Sequence, residues 1–528
     1  MQLMTTISLL VIVTKLTSQV YAQVPCEYGS VALTIDSGNA EAAVENDGHL
    51  FWAHGTSLPH FEVPKGSGIN VIFRAKPWIG GLINGEIHFT GPQSGQLYYP
   101  GPLDQNGYGL PNCSDYDRIW KVSRSDLREI VESGKLSDDI KHWPSGLGAP
   151  TVDGNGIVDD YDPTSGDLPA IVGQESAWWI MNDGGRENVE NLWFPQVGLE
   201  ARVFVAAMPS RPNVEVYYFR YTFTYANSNP LEDAYIGFFM DPDLGDFDTD
   251  KFGSASWIST VYVYKKDNFD AKYGANPPAL AITLLQGPLV DADGLDNNRN
   301  GIIDEPNERL DLTAFVAGNE IHKNRPTFFY NHLQGLCGRS GNPIRVGSGC
   351  ISATGQPTTY WYSGDPVTGL GWLDDGTYDR AFLISSGPFD WLPGEEQTIA
   401  FAIIWARGND NLESISRVRD IAGYLQNTPE FFAPDVSIGR PAALVASFVG
   451  FEPADTQAFI TYTVTDPTEV TLSLFNITGR QIATVHDSFQ SPGKYTEIFD
   501  VSSLPTGVYF YRLSIGRLSA TRPLTVIH

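Results

Sequence analysis

Short alternating apolar and polar runs dominate this chain, and long stretches of 3.6-residue apolar period are scarce. That patterning predicts a mainly β protein of multidomain β-sandwich architecture with few short helices. Strands are expected at Ile69–Arg74, Glu86–Phe89, Ala201–Ala206, Glu215–Tyr225, Ala234–Met240, Thr260–Tyr264, Ala279–Leu285, Arg380–Ser385 and Gln397–Ala406. Two stretches read as helices. Asp126–Ser133 has Ser125 placed as N-cap and Gly134 just past its end. Asn411–Gln426 sets Leu412, Ile415, Val418, Ile421 and Leu425 on one face. Trp78-Ile-Gly-Gly and Tyr98-Tyr-Pro-Gly-Pro read as hairpin and corner residues.

One polar stretch breaks the pattern: Asp291–Glu308, DADGLDNNRNGIIDEPNE. Counted from Asp296, side-chain oxygens fall at loop positions 1, 3 and 5 (Asp296, Asn298, Asn300). Gly301 follows at 6, the Ile302 carbonyl at 7, Ile303 as an apolar anchor at 8 and Asp304 at 9. This is the spacing of an EF-hand-like calcium loop, with Asn307 where a bidentate Glu would close it. The same phrase occurs earlier, with Asp153, Asn155, Ile157 and Asp159 in register and Asp162 at position 12. A lone copy reads equally as an Asp/Asn/Gly turn; two copies in register favour a structural calcium ion. A third acidic knot, Asp241–Asp250, and the group Asp374, Asp375 and Asp379 are carboxylate-dense without the full pattern.

Charge sharpens this picture. Asp and Glu number 62 against 34 Lys and Arg, a formal charge of −28. Such a balance argues against nucleic acid and anionic lipid as partners and suits divalent cations. Met1–Ala22 reads as a secretory signal peptide, with small residues at −3 and −1 before Gln23, and no other run is apolar enough for a transmembrane helix. Four cysteines fit an exported chain and allow three connectivities. Cys337 with Cys350 would close about 14 residues, worth roughly 3 kcal/mol; Cys26 with Cys113 would then tie down the mature N-terminus. The remaining chain divides into an N-terminal β domain (23–145), a central β-rich region with the acidic loops (146–440) and a C-terminal sandwich (441–528).

Catalytic constellations are not evident: there is no H-E-x-x-H, no G-x-S-x-G and no phosphate-cradling glycine loop. No catalytic residue is therefore assigned, and the sequence leaves open whether the chain is an enzyme while favouring a non-catalytic role. His49, His54 and His60 are too irregularly spaced to share one face of a helix or strand. Trp178-Trp179 and Tyr360-Trp361-Tyr362 with Trp372 suit either core packing or a sugar-stacking surface. The latter carries the alternative of a polysaccharide-binding or polysaccharide-hydrolysing protein with a glycan ligand.

Two resemblances follow from longer phrases. VPKGSG, WIGG, YPGPL, VDGNGIVDDYDPTSGDLP, WWIMNDGG, DPDLGD and NPPALAITLLQGP resemble a broad group of large exported proteins of Bacteroidetes-type bacteria, which implies a cellular context but no reaction. Further on, Val470-Thr-Leu-Ser-Leu-Phe-Asn-Ile-Thr-Gly-Arg480, Pro492-Gly493 and Leu504-Pro-Thr-Gly-Val-Tyr-Phe-Tyr-Arg-Leu513 resemble the type A C-terminal sorting domain of the type IX (Por) secretion system. That resemblance implies an immunoglobulin-like sandwich, engagement of the secretion machinery through 451–528, and a secreted or outer-surface location.

Overall fold

A computed structural model describes residues 27–52, 58–91, 98–154, 161–184, 195–290, 294, 296, 302–303, 306–318, 325–376, 379–432, 457–464, 468–477, 479–490, 493–515 and 518–526. Met1–Ala22, Cys26, His54, Asn155, Ile157, Asp159, Asn298, Asn300 and Asp304 lie outside the described residues.

The first strands in chain order are β1 (Ala32–Asp36), β2 (Glu41–Glu45), β3 (Phe61–Glu62), β4 (Ile72–Ile83), β5 (Glu86–Thr90), β6 (Tyr99–Pro100) and β7 (Trp120–Ser123). Next come β8 (Thr151–Val152), β9 (Leu168–Pro169), β10 (Glu175–Asn182), β11 (Leu199–Ala207), β12 (Val214–Tyr225) and β13 (Leu231–Pro242). They are followed by β14 (Asp250–Ala255), β15 (Thr260–Lys265), β16 (Phe269–Asp270), β17 (Gly274–Ala275), β18 (Ala279–Gln286) and β19 (Ala314–Ala317). Then come β20 (Ile344–Arg345), β21 (Pro357–Thr358), β22 (Phe382–Trp391) and β23 (Glu396–Ala406).

Nine strands form one sheet in the order β14-β15-β18-β23-β12-β11-β10-β6, with β7 also on β10; five form a second, β19-β22-β13-β4-β5. Their facing sides share one apolar core. Phe219 and Phe401 stack across β12 and β23 at 5.0 Å, and Phe238 of the smaller sheet meets Phe401 at 4.4 Å. The outer face of the nine-stranded sheet is covered by α1 (Arg124–Ser133), α2 (Asp138–Lys141) and the longer helix at Asn411–Gln426. On the outer face of the five-stranded sheet lies α3 (Pro326–Leu333), and the Asn411–Gln426 helix is α4. Covering both faces explains the near-continuous apolar runs in β12 and β23: their side chains are buried on either side of the sheet. The mainly β sandwich is thus as the patterning predicts.

The structure adds detail that the patterning does not carry. The segments 23–145 and 146–440 share both sheets, since β4 lies between β13 and β5 while β6 and β7 pair with β10. Long-range pairing between them leaves no sheet boundary near residue 145. Trp78-Ile-Gly-Gly lies inside β4, not at a corner. A Cβ on Gly81 would meet Glu232 O at 2.9 Å and Leu231 at 2.7 Å, so glycine lets β13 approach there. The N-cap of α1 is Ser123 rather than Ser125. Its hydroxyl accepts from Asp126 N and the Asp126 carboxylate returns to Ser123 N, a reciprocal capping box. The short helices α2 and α3 carry too few turns to show a period.

The C-terminal strands β24 (Gln457–Val464), β25 (Thr468–Asn476), β26 (Gln481–Gln490), β27 (Gly493–Asp500), β28 (Gly507–Ile515) and β29 (Leu518–Val526) pair among themselves, as β24-β27 and β26-β25-β28-β29. They enclose their own core of Ile460, Tyr462, Leu472, Leu474, Tyr511, Leu513 and Val526.

Candidate functional site

The acidic segments fall into two kinds. The first acidic loop leaves the β8–β9 pair and returns to it. Asp167 closes its neck: Oδ1 accepts from Gly154 N at 3.0 Å and Oδ2 from Asp162 N at 2.8 Å, with the side chain buried. Gly154 is required, because a Cβ there would meet Gly166 O at 2.0 Å. Of the expected ligands, Asp153 sits beside this neck. Asp162 lies at its outer turn, where its carboxylate accepts from Thr164 N, Thr164 Oγ1 and Ser165 Oγ. Those bonds hold Asp162 below the usual carboxylate range.

The second loop has a similar neck. Leu289 bridges Arg309, Val290 N donates to Glu308 O at 2.9 Å, and Leu310 N donates to Pro288 O at 2.9 Å. Glu308 is 1% exposed, as buried as Asp167 at 2%. Ile303, expected as an apolar anchor, is 62% exposed, and Ile302 is 58% exposed. The loop therefore presents its isoleucines to solvent. Both buried carboxylates escape the calcium-loop spacing because they belong to the necks, not to the ligand positions.

The other acidic segments are gathered by the chain's own cations. Within the knot Asp241–Asp250, Lys265 Nζ lies 2.7 Å from Asp250 Oδ1 and 3.1 Å from Asp270 Oδ2. It also donates to Asp246 O and Thr249 Oγ1. Arg380 fills the equivalent place at Asp374: Nη1 donates to Oδ1 at 2.8 Å and Nη2 to Oδ2 at 2.7 Å, with the guanidinium 4.7 Å from the Phe252 ring. Asp374 is thus held by a protein guanidinium. Between these pairs, burial pushes Asp241 up to about 6, Arg74 at 3.3 Å opposing and Asp379 adding to the rise. Burial, with the Asp241 and Asp379 charges, pushes Asp243 up to about 7.

Sequence spacing also misses a small turn cluster. Glu45, Asp47 and His49 bring one ligand atom each to within 4.8 Å of one another, with His49 Nδ1 3.0 Å from Asp47 Oδ2. The buried Lys76 Nζ faces His49 Nε2 at 3.4 Å, and burial brings this amine down to about 7. His60 lies apart, 3.5 Å from Glu41. Trp178 and Trp179 are core residues, whereas Trp361 and Trp372 are half-buried, 5.6 Å apart and packed with Tyr362.

Comparison with known proteins resolves the C-terminal domain. Residues 452–526 match the family model for a secretion system C-terminal sorting domain. The chain carries a type IX sorting domain. The matched span covers the six strands β24–β29, and it places the protein outside the cell or on its surface. The sorting domain implies interaction with the secretion machinery. An oxidising destination agrees with the Cys337–Cys350 disulfide (S–S 2.05 Å, Cα–Cα 5.6 Å); Cys113 is also disulfide-bonded. Among the described residues no helix is long and apolar enough to cross a membrane. No curated protein matches the chain. A solved polysaccharide lyase is 10% identical over 87% of this chain and 46% of that chain, at a TM-score of 0.18. This chain spans under half of that protein.

Proposed function

We propose that this exported protein is a non-catalytic β protein, stabilised by structural calcium in its two acidic loops, with a structural or binding role at the cell surface or beyond. The observation that carries the reading is the pair of buried neck carboxylates, Asp167 and Glu308, beneath loops that repeat one acidic phrase. Between Asp153 and Asp167 the sequence holds five carboxylates (Asp153, Asp159, Asp160, Asp162, Asp167) and no Lys or Arg. The donors offered are hard oxygens, with no Cys or His in either loop, which is the ligand class calcium takes. Asp153, Asn155, Ile157, Asp159 and Asp162 would hold one ion, and Asp296, Asn298, Asn300, Ile302 and Asp304 the other. The ion would supply charge neutralisation and cross-linking of the loop, not catalysis.

The test is a thermal melt of the full chain in calcium and in excess EGTA, with bound metal counted. Retained calcium and a melt lowered by chelation are expected; no bound ion and an unchanged melt would sink the proposal. The glycan alternative rests on Trp361 and Trp372, since Trp178 and Trp179 are enclosed. A glycan array run with Trp372→Ala tests that surface directly.

A further inference from the structure

Lys265 ends β15 directly across from Asp250, its register partner on β14, the edge strand of the nine-stranded sheet. The Lys265, Asp250 and Asp270 side chains are 1%, 5% and 0% exposed. Leu244, Phe252 and Tyr273, also buried, belong to the adjoining apolar core. Lys265 Nζ is 2.7 Å from Asp250 Oδ1, yet that buried oxygen has no hydrogen-bond partner. The other oxygen, Asp250 Oδ2, accepts from Leu244 N at 3.0 Å. Asp270, 3.1 Å from the same Nζ, is fixed by three backbone N–H groups: Asp246 on Oδ2, and Lys272 and Tyr273 on Oδ1.

We propose that Lys265 and Asp250 are joined by an intramolecular isopeptide bond that the folded chain forms by itself, with Asp270 as the proton acceptor. Asp270 takes a proton from the Lys265 ammonium, and the freed amine attacks Asp250 Cγ. A C–N bond forms, and the Leu244 N–H holds the oxyanion on Oδ2. The Cγ–Oδ1 bond then breaks, and Oδ1 leaves as water with two protons, one that Asp270 returns and one given up by the attacking nitrogen as it becomes the amide N–H. Ammonium plus carboxylate give amide plus one water, with no oxidant, reductant or activating group. Three features favour the condensation. The reactants are held in contact. Bulk water is excluded from the site. The product replaces a buried ion pair, which is costly to desolvate, by a neutral amide. Burial pushes Asp250 up to about 7, against Lys265, so a share of it is the electrophilic acid at neutral pH. Against the effect of burial, the Tyr273 N–H and the Lys265 charge hold Asp270 below the usual carboxylate range, so it stays ionised beside the amine. The bond would lock the edge strand to its neighbour in a protein that works outside the cell.

Tryptic mapping of the purified full chain, reduced and denatured, reads the bond directly. The peptide ending at Lys251 should be linked to one running from Phe252 past Lys265, at a mass one water below their sum. Lys265→Arg should give only linear peptides. Asp270→Asn, checked for native circular dichroism, should slow or abolish linkage while leaving both reacting groups in place. A linear wild-type peptide cut after Lys265, at sequence mass, would overturn the proposal. Full linkage at an unchanged rate in Asp270→Asn would remove the role given to Asp270.

Discussion

The knots at Asp241–Asp250 and Asp374–Arg380 and the loops at Asp153–Asp167 and Val290–Glu308 are alike in composition, but the described parts of the two differ. In the knots, folding delivers a buried Lys265 and a buried Arg380 into the carboxylates from elsewhere in the chain. The loops hang from narrow β necks, and their buried carboxylates sit at the base. Carboxylate density therefore does not by itself specify a metal. In the knots the fold brings in a cation of its own, which matters because an uncompensated buried charge is far costlier than a paired one.

The largest effect should come from breaking a knot. Arg380→Met leaves Asp374 buried without its cation and should cost about 3–5 kcal/mol of stability in urea melts. A loss under about 1 kcal/mol would mean that the guanidinium is not what holds that knot together. Calcium removal should come next. A site at roughly 100-fold saturation contributes about 2.7 kcal/mol, lost in EGTA and restored by calcium but not by sodium at equal ionic strength.

A smaller effect concerns the carboxylates between the ion pairs. Asp243 is pushed up to about 7 by burial and its acidic neighbours. Its folded form binds the proton more tightly than the unfolded chain, so its contribution to stability falls as pH rises from about 4 to about 7. Asp243→Asn should raise the melting temperature at pH 8, by on the order of 1–2 kcal/mol in stability, and change little at pH 4. The reverse pH dependence would place the carboxylate in a favourable ion pair. The smallest effect should be Ile303→Ser, within about 0.5 kcal/mol, because the side chain faces solvent. A larger loss confined to calcium-containing buffer would restore Ile303 as an anchor.

Much of the fold is legible in the sequence, for identifiable reasons. The C-terminal sandwich is legible through the phrases Val470–Arg480 and Leu504–Leu513, which fall on β25 and β28 and the turns beside them. The helix α4 shows through Ile415, Val418 and Leu425. What is hidden is pairing at long range. Nothing local says that β4 will lie against β13, some 150 residues away, or that Lys265 will enter the Asp241–Asp250 knot. Glycines 80 and 81 mislead in isolation, because they look like a corner until the packing around them is known. The acidic loops show the same limit. Their repeated phrase stands out, but Asp167 and Glu308 acquire meaning only once the necks close.

Hydrogen exchange of the intact chain, followed peptide by peptide with and without EGTA, tests the distinction most directly. The account predicts faster exchange on chelation through Thr151–Leu168 and Leu289–Leu310, and no change through Asp241–Asp250 and Asp374–Arg380. Identical exchange in both loops with and without chelator would contradict it.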